Sequence, residues 1–173
     1  MACRRTEGLW VAFVIAGFLA VSAAPELHSQ TPNADEASCR AFVQQFYDWY
    51  LTKSIVWYGV AKLKPQVLSP ELFKLLKKED DTQTACKCID HLDADPFLNS
   101  QDPDPKYIVK RVAVVNGRCN AIVRGNNGGS EVRPELTRTS TGWVFINFHY
   151  SFYSEDGKRK LFPDDDLVHM LKR

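Results

Sequence analysis

The sequence carries no surplus of charge of either sign: 22 lysines and arginines stand against 21 aspartates and glutamates in 173 residues. A nucleic-acid binder shows a basic excess gathered into a patch, so no nucleic-acid partner is expected here. A Gly-rich phosphate loop, a GxSxG elbow and an HExxH helix are all missing, and with them the usual signatures of nucleotide binding, serine hydrolysis and zinc proteolysis. There is no Asn-x-Ser/Thr sequon. The longest uncharged apolar run, Leu9 to Val21, falls short of the roughly 20 residues a membrane-spanning helix needs, so no integral membrane segment is expected after processing. The rest, 45% hydrophobic and 12% aromatic, is the composition of an ordinary globular domain.

The apolar run has another use. Arg4 and Arg5 precede it and Val21-Ser22-Ala23-Ala24-Pro25 follows it, which is the charged, apolar and small-residue order of a secretory signal. Residues 1–23 are therefore read as a signal peptide cleaved after Ala23 or Ala24, and the product as exported, either periplasmic or secreted. Removing it leaves 20 charges of each sign and four cysteines, Cys39, Cys86, Cys88 and Cys119. An even count in an oxidising compartment implies two disulfides. A Cys86–Cys88 bridge would close a very tight ring and is disfavoured, so each bridge is expected to join Cys86 or Cys88 to Cys39 or Cys119.

Residues 24–36 are polar and proline-bearing, a flexible leader, and residues 37–173 read as a single α+β domain. From about Ala37, Cys39, Phe42, Val43, Phe46 and Tyr50 recur at helical spacing. This helix, widened by Trp49, Trp57 and Tyr58, is expected to end before Gly59. Ser69-Pro70-Glu71 opens a second helix with a capping serine, a proline at the first position and an acid at the positive end of the dipole. Its stripe is Leu72, Leu75 and Leu76, and it is expected to run to about Cys88. Residues 90–106, with three prolines and five aspartates, form no regular element. Beyond them the period becomes two: Tyr107–Val115, then Asn116-Gly117 as a hairpin turn, Cys119–Arg124, Glu131–Thr139 and Trp143–Phe152. Alternation in the last strand puts Val144, Ile146, Phe148, Tyr150 and Phe152 on one face and Trp143, Phe145, Asn147 and His149 on the other. The first face is expected to pack on Phe42, Phe46 and Leu72. Pro163-Asp164 opens a short C-terminal helix carrying Leu167, Val168 and Leu171. Segregated elements of this kind predict N-terminal helices packed on a curved antiparallel sheet of about four strands.

The segments FVQQFYDWYL, SPEL, DPFLNSQDPDPKY and GWVFINFHY resemble a family of exported bacterial proteins catalogued as a domain of unknown function. The resemblance runs from about Cys39 to Leu171, and DPFLNSQDPDP is its most specific part. It implies a cystatin-like cone, also called nuclear-transport-factor-2-like, in which helices and a curved sheet enclose a pocket. It carries over no catalytic residues, and Cys86-Lys87-Cys88 departs from the family pattern.

Three groups of residues invite a functional reading. Asp95, Asn99, Gln101, Asp102 and Asp104 offer hard oxygen ligands suited to Ca²⁺, but the spacing is not that of an EF-hand, and the favoured reading is Asx-turns in a proline-rich loop. Asn147 and His149, between Trp143 and Phe145, would suit a pocket wall with a few polar groups. Cys86-x-Cys88-x-x-His91 could hold copper or zinc, although an exported chain favours the disulfide. No metal or cofactor is therefore expected. The function expected is non-enzymatic binding of an envelope protein or a small ligand through the cone. Two alternatives are a small hydrolase or isomerase with His149 and an aspartate as acid and base inside the cavity, and an inhibitor or immunity protein acting through the 90–106 loop.

Overall fold

The computed structural model describes residues 33–53, 56–88, 92, 94–127, 131–153 and 159–173, with the backbone alone from 152 to 164. The signal segment, residues 24–32 of the leader and His91 lie outside these residues; the end of the leader, from Ala34, is already helix.

Helix α1 spans Ala34–Lys53 and buries Cys39, Val43, Phe46, Tyr47 and Tyr50 along one stripe. It stops earlier than the aromatic run suggests, and Gly59 belongs to a separate short helix α2, Tyr58–Leu63, followed by a 3-10 turn at Pro65–Val67. Helix α3, Pro70–Cys86, starts as its sequence predicts. The Ser69 side chain accepts the Leu72 N–H at 3.2 Å, and Pro70 sits in the first turn. It ends at Cys86 because Lys87 turns into the left-handed region, φ 54°.

Five strands follow: β1 (Tyr107–Val115), β2 (Arg118–Gly125), β3 (Glu131–Thr139), β4 (Gly142–Tyr153) and β5 (Arg159–Asp166), with helix α4 (Leu167–Lys172) last. They form an open antiparallel meander in chain order. Asn116 and Gly117 both take positive φ, 50° and 73°, as a tight two-residue hairpin requires. The expected count of four strands is corrected by β5. The Pro163-Asp164 pair does not start the last helix; it lies in β5. Proline is tolerated there because β5 is an edge strand. Asp166, still paired to His149 in the sheet, then caps α4 by accepting the His169 N–H at 3.0 Å.

Helix α1 lies on the β1 side of the sheet and closes its edge with side chains. The Gln44 amide donates to Tyr107 O (3.0 Å) and accepts from Val109 N (3.0 Å), while Arg40 donates to Val109 O at 2.7 Å. Backbone groups that an open edge would offer to another chain are thus partly satisfied within the molecule.

In β4 the expected faces change partway along. Pro134 pairs with Phe148 and Glu135 with Asn147, but Leu136 pairs with Phe145, so Ile146 is an extra residue in a bulge. The inserted residue flips the alternation. Phe145, Phe148 and Tyr150 all reach the core, with exposures of 0%, 0% and 4%. Phe145 packs on Phe42 and Phe46 of α1, at ring centroid distances of 5.4 and 4.7 Å. Val144 and Ile146, expected in this core with Phe148, do not belong to its central cluster. The bulge is used: Phe145 O accepts the Ser69 N–H at 2.8 Å, which fixes the start of α3 to the sheet.

The disulfides also differ from expectation. Cys39 is bonded to Cys119 and Cys86 to Cys88. Cys39 on α1 and Cys119 on β2 meet in the core, both fully buried, with Cα atoms 6.6 Å apart. Cys86 and Cys88 are exposed at the far end of α3. The tight ring forms because the left-handed turn at Lys87 brings their Cα atoms to 5.2 Å.

Candidate functional site

The irregular segment after α3 is anchored to the helices and the sheet by side chains. Glu79 of α3, itself buried, accepts the Leu92 N–H at 3.2 Å, and Gln83 donates to Leu92 O at the same distance. Three residues on, Asp95 folds the chain over itself. Its Oδ1 accepts the N–H groups of Phe97 (2.8 Å) and Leu98 (3.2 Å), an Asx-turn, and its carbonyl accepts the Asn99 N–H at 2.8 Å. Asn99 completes the turn at φ 49°, a conformation asparagine tolerates better than most residues.

This turn drives Phe97 and Leu98 into the core, where they are 0% and 3% exposed. Phe97 packs edge-on against Phe46, Tyr50 and Phe148, at 5.6, 5.5 and 5.0 Å. A buried loop leaves backbone carbonyls to satisfy, and tyrosines do this in sequence. Tyr150 donates to Pro96 O (3.0 Å), Tyr47 to Phe97 O (2.9 Å) and Tyr107 to Leu98 O (3.1 Å), while Tyr50 donates to the Asp95 carboxylate. The DPFLN segment therefore plugs the space between α1 and the sheet. Burial pushes the Asp95 carboxyl up to about 6, against the hydrogen bonds from Tyr50 and the two amides. Burial, reinforced by the nearby Asp95 charge, raises Tyr47 and Tyr150 well above the ordinary tyrosine value.

Outside this stopper lies a cleft of about 830 Å³, a volume typical of small-molecule sites. Leu51, Val56, Trp57, Leu92 and Leu98 give it apolar walls; Asp95, Ser100, Gln101 and Asp104 supply polar groups. Among the described residues no lysine, arginine or histidine lines it. Asp104 is seated against Gly125 of β2, so closely that a Cβ there would overlap its carboxylate.

The acidic loop residues are thus divided. Asp95 is committed to the turn, Asn99 to the backbone bend, and Gln101 and Asp104 face the cleft. Asp102 is exposed, its N–H donated to Ser100 Oγ at 3.1 Å. Among the described residues no group of three or more His, Cys, Asp and Glu gathers to hold a metal.

The four residues read as a pocket wall are not brought together. Trp143 and Phe145 belong to the core, with Trp143 donating to Ser38 Oγ of α1 at 3.0 Å. Beyond the bulge, Asn147 and His149 lie on the opposite face of the sheet. Asn147 donates to Asp166 (2.8 Å) and accepts the Val168 N–H (3.1 Å), tying β4 to α4. Burial opposes ionisation of Asp166, but hydrogen bonds from the His169 N–H and Asn147 hold its carboxyl below the ordinary aspartate value. His149 lies 3.3 Å from Glu135, whose other carboxylate oxygen pairs with Arg118 at 2.6 Å. His149 therefore lies on the sheet face away from the core and forms no acid/base pair among the core aromatics. The same outer face holds Glu131, completely buried beneath Arg124 and Arg133. Burial works against its charge, yet bonds from Arg124, Arg133 and Ser151 prevail and lower its carboxyl.

Sequence reasoning missed Tyr47, Tyr107 and Tyr150 as partners of the loop, and missed the cleft residues Leu51, Val56 and Trp57. The signal available was the set of tyrosines at core positions, each needing a hydrogen-bond partner once buried. Among the described residues no helix is long and apolar enough to cross a membrane. No family pattern, no curated protein and no solved structure matches the chain.

Proposed function

We propose that the chain is an exported binding protein whose ligand occupies the cleft beside the DPFLN stopper and is not chemically changed there. The observation that carries this reading is the cleft itself: apolar walls, two carboxylates and, among the described residues, no cation in about 830 Å³. That chemistry suits a small ligand, or the end of a peptide, with an apolar body and a positively charged or hydrogen-bond-donating head. Export is supported by the signal-like segment at residues 1–23 and by two disulfides, which persist in oxidising compartments. The resemblance to an exported family of cone-shaped domains agrees with it. In this reading the pocket of the cone is displaced outward by the loop that stops its interior.

Decyltrimethylammonium, below its micelle concentration, is a suitable probe, with the fluorescence of Trp57 at the cleft wall as reporter. Saturable binding that weakens with salt is expected, and decyl sulfate should bind much more weakly. Val56 is 50% exposed, so Val56→Arg should spare the fold while placing a cation in the cleft and weakening the alkylammonium by about tenfold or more. Gly125→Ala, which evicts the Asp104 carboxylate, should weaken it too. Equal binding of both amphiphiles, unaffected by Val56→Arg, would refute the cleft as the site.

A further inference from the structure

The two disulfides differ in kind. Cys39–Cys119 spans 80 positions inside the core, where closing a long loop restrains the unfolded chain strongly. Cys86–Cys88 spans two positions, and both cysteines are exposed. A ring that small removes little chain entropy, so it does little to hold the fold. Lys87, between the two cysteines and not a glycine, sits at φ 54°, a conformation that strains an L-residue. Exposed bridges under strain are the ones that exchange readily with thiols.

Cys86 also terminates a groove of about 630 Å³ along the outer face of α3. Phe73 and Ala85 give the groove an apolar floor, and Lys74, Lys77, Lys78 and Asp81 flank it. Lys77 is paired with Asp81 at 2.7 Å, so the groove keeps a surplus of positive charge, with Lys87 beside the bridge. Such a surface attracts an acidic segment and favours the thiolate form of a thiol brought near it.

We propose that Cys86–Cys88 is an exchange-active disulfide that oxidises dithiols carried by acidic protein segments seated along the α3 groove. A thiolate of the segment attacks Cys86 Sγ, the bond to Cys88 breaks, and Cys88 leaves as a thiolate that takes up a proton. The segment's second thiolate then attacks its own sulfur in the mixed disulfide and releases Cys86 as a thiol. The segment loses two electrons and two protons and gains a disulfide; Cys86 and Cys88 gain both. A small-molecule disulfide such as oxidised glutathione restores the bridge. This activity is separate from the cleft and does not depend on it.

The test uses the whole processed chain with catalytic amounts of protein, excess oxidised glutathione and a reduced two-cysteine peptide rich in glutamate. Peptide disulfide is followed by alkylation and mass spectrometry. The chain should accelerate oxidation by about tenfold or more over glutathione alone, and Cys86→Ser/Cys88→Ser should abolish the gain. Lys74→Glu/Lys78→Glu should slow the glutamate peptide severalfold more than it slows the oxidation of dithiothreitol. Retention of Cys39–Cys119 and an unaltered melting curve confirm that each variant is folded. The proposal fails if the wild-type chain is no faster than the double serine variant, or if the bridge stays closed in millimolar reduced glutathione. It also fails if thiol counting finds Cys86 and Cys88 reduced and holding copper or zinc. Equal rates for glutamate-rich and lysine-rich peptides would overturn the acidic partner.

Discussion

The two halves of the segment that follows α3 are built from the same residue types and behave in opposite ways. Asp95–Leu98 is core: Phe97 is fully buried, and tyrosine hydroxyls take up the carbonyls of Pro96, Phe97 and Leu98 in turn. Ser100–Pro105 is surface. Gln101, Asp102 and Pro103 are exposed, and the Ser100 hydroxyl donates within the turn, to Asp102 O at 2.8 Å. What separates the halves is one hydrophobic pair, Phe97 and Leu98, which pulls its backbone inside and obliges the helix and sheet to supply hydrogen-bond donors. Proline and aspartate in a run thus say little about burial. The neighbouring aromatic decides it, and the surface half is left available to line a cleft.

The largest break in this comparison should come from Phe97→Ala, which removes a ring packed on Phe46, Tyr50 and Phe148. Denaturant unfolding should show a loss of about 3–5 kcal/mol. A loss below ~1 kcal/mol would mean that the stopper is not part of the core.

Next in size is the protonation of Asp95. Its folded-state value, about 6, lies above the ordinary 3.8, so the unfolded chain gives up this proton first. The resulting contribution favours the folded state below about pH 4, and it is lost as the pH rises from about 4 to about 6, by about 3 kcal/mol in all. Asp95→Asn keeps an oxygen for the Phe97 and Leu98 amides and has no proton to lose. Stability measured against pH should therefore lack this slope in the variant and match or exceed the wild type at neutral pH. Identical slopes in the two proteins would refute the assignment.

Smaller effects belong to the hydroxyls. Tyr47→Phe and Tyr150→Phe each leave one buried carbonyl unsatisfied, at a cost of about 1–2 kcal/mol in unfolding experiments. In the surface half, Asp102→Asn should change stability by less than ~0.5 kcal/mol at any pH between 4 and 8. An effect of Asp102 as large as that of Tyr47 would erase the distinction between the halves.

Local signals were the legible ones. Ser69-Pro70-Glu71 marked the start of α3, Asn116-Gly117 marked the first hairpin, and Asp95 could be read as an Asx-turn residue, because each feature depends on neighbours a few positions away. The α+β order followed from the switch in period near Tyr107. The bulge at Ile146 could not be read, since alternation has no mark for an inserted residue, and its position is set by the Ser69 N–H waiting at Phe145 O. That one residue moved Phe145 into the core and took Asn147 and His149 away from Trp143. Strand β5 was hidden for a similar reason: Pro163 fits a helix start and an edge strand equally well. The disulfide pairing does not follow from ring size alone, because the left-handed turn at Lys87 closes the small ring. The cleft was out of reach, because Leu51, Val56 and Trp57 meet Asp104 only through the tertiary fold.

Amide hydrogen exchange across residues 94–105, with and without decyltrimethylammonium, tests the central claim most directly. The N–H groups of Phe97, Leu98 and Asn99 should exchange as slowly as the core strands in the free protein, since each is bonded to Asp95. Those of Gln101, Asp102 and Asp104 should exchange rapidly in the free protein and gain protection when the probe binds. If the whole segment exchanges at one fast rate, or if Phe97 and Leu98 become protected only with the probe present, the division between an inner stopper and an outer binding wall is contradicted.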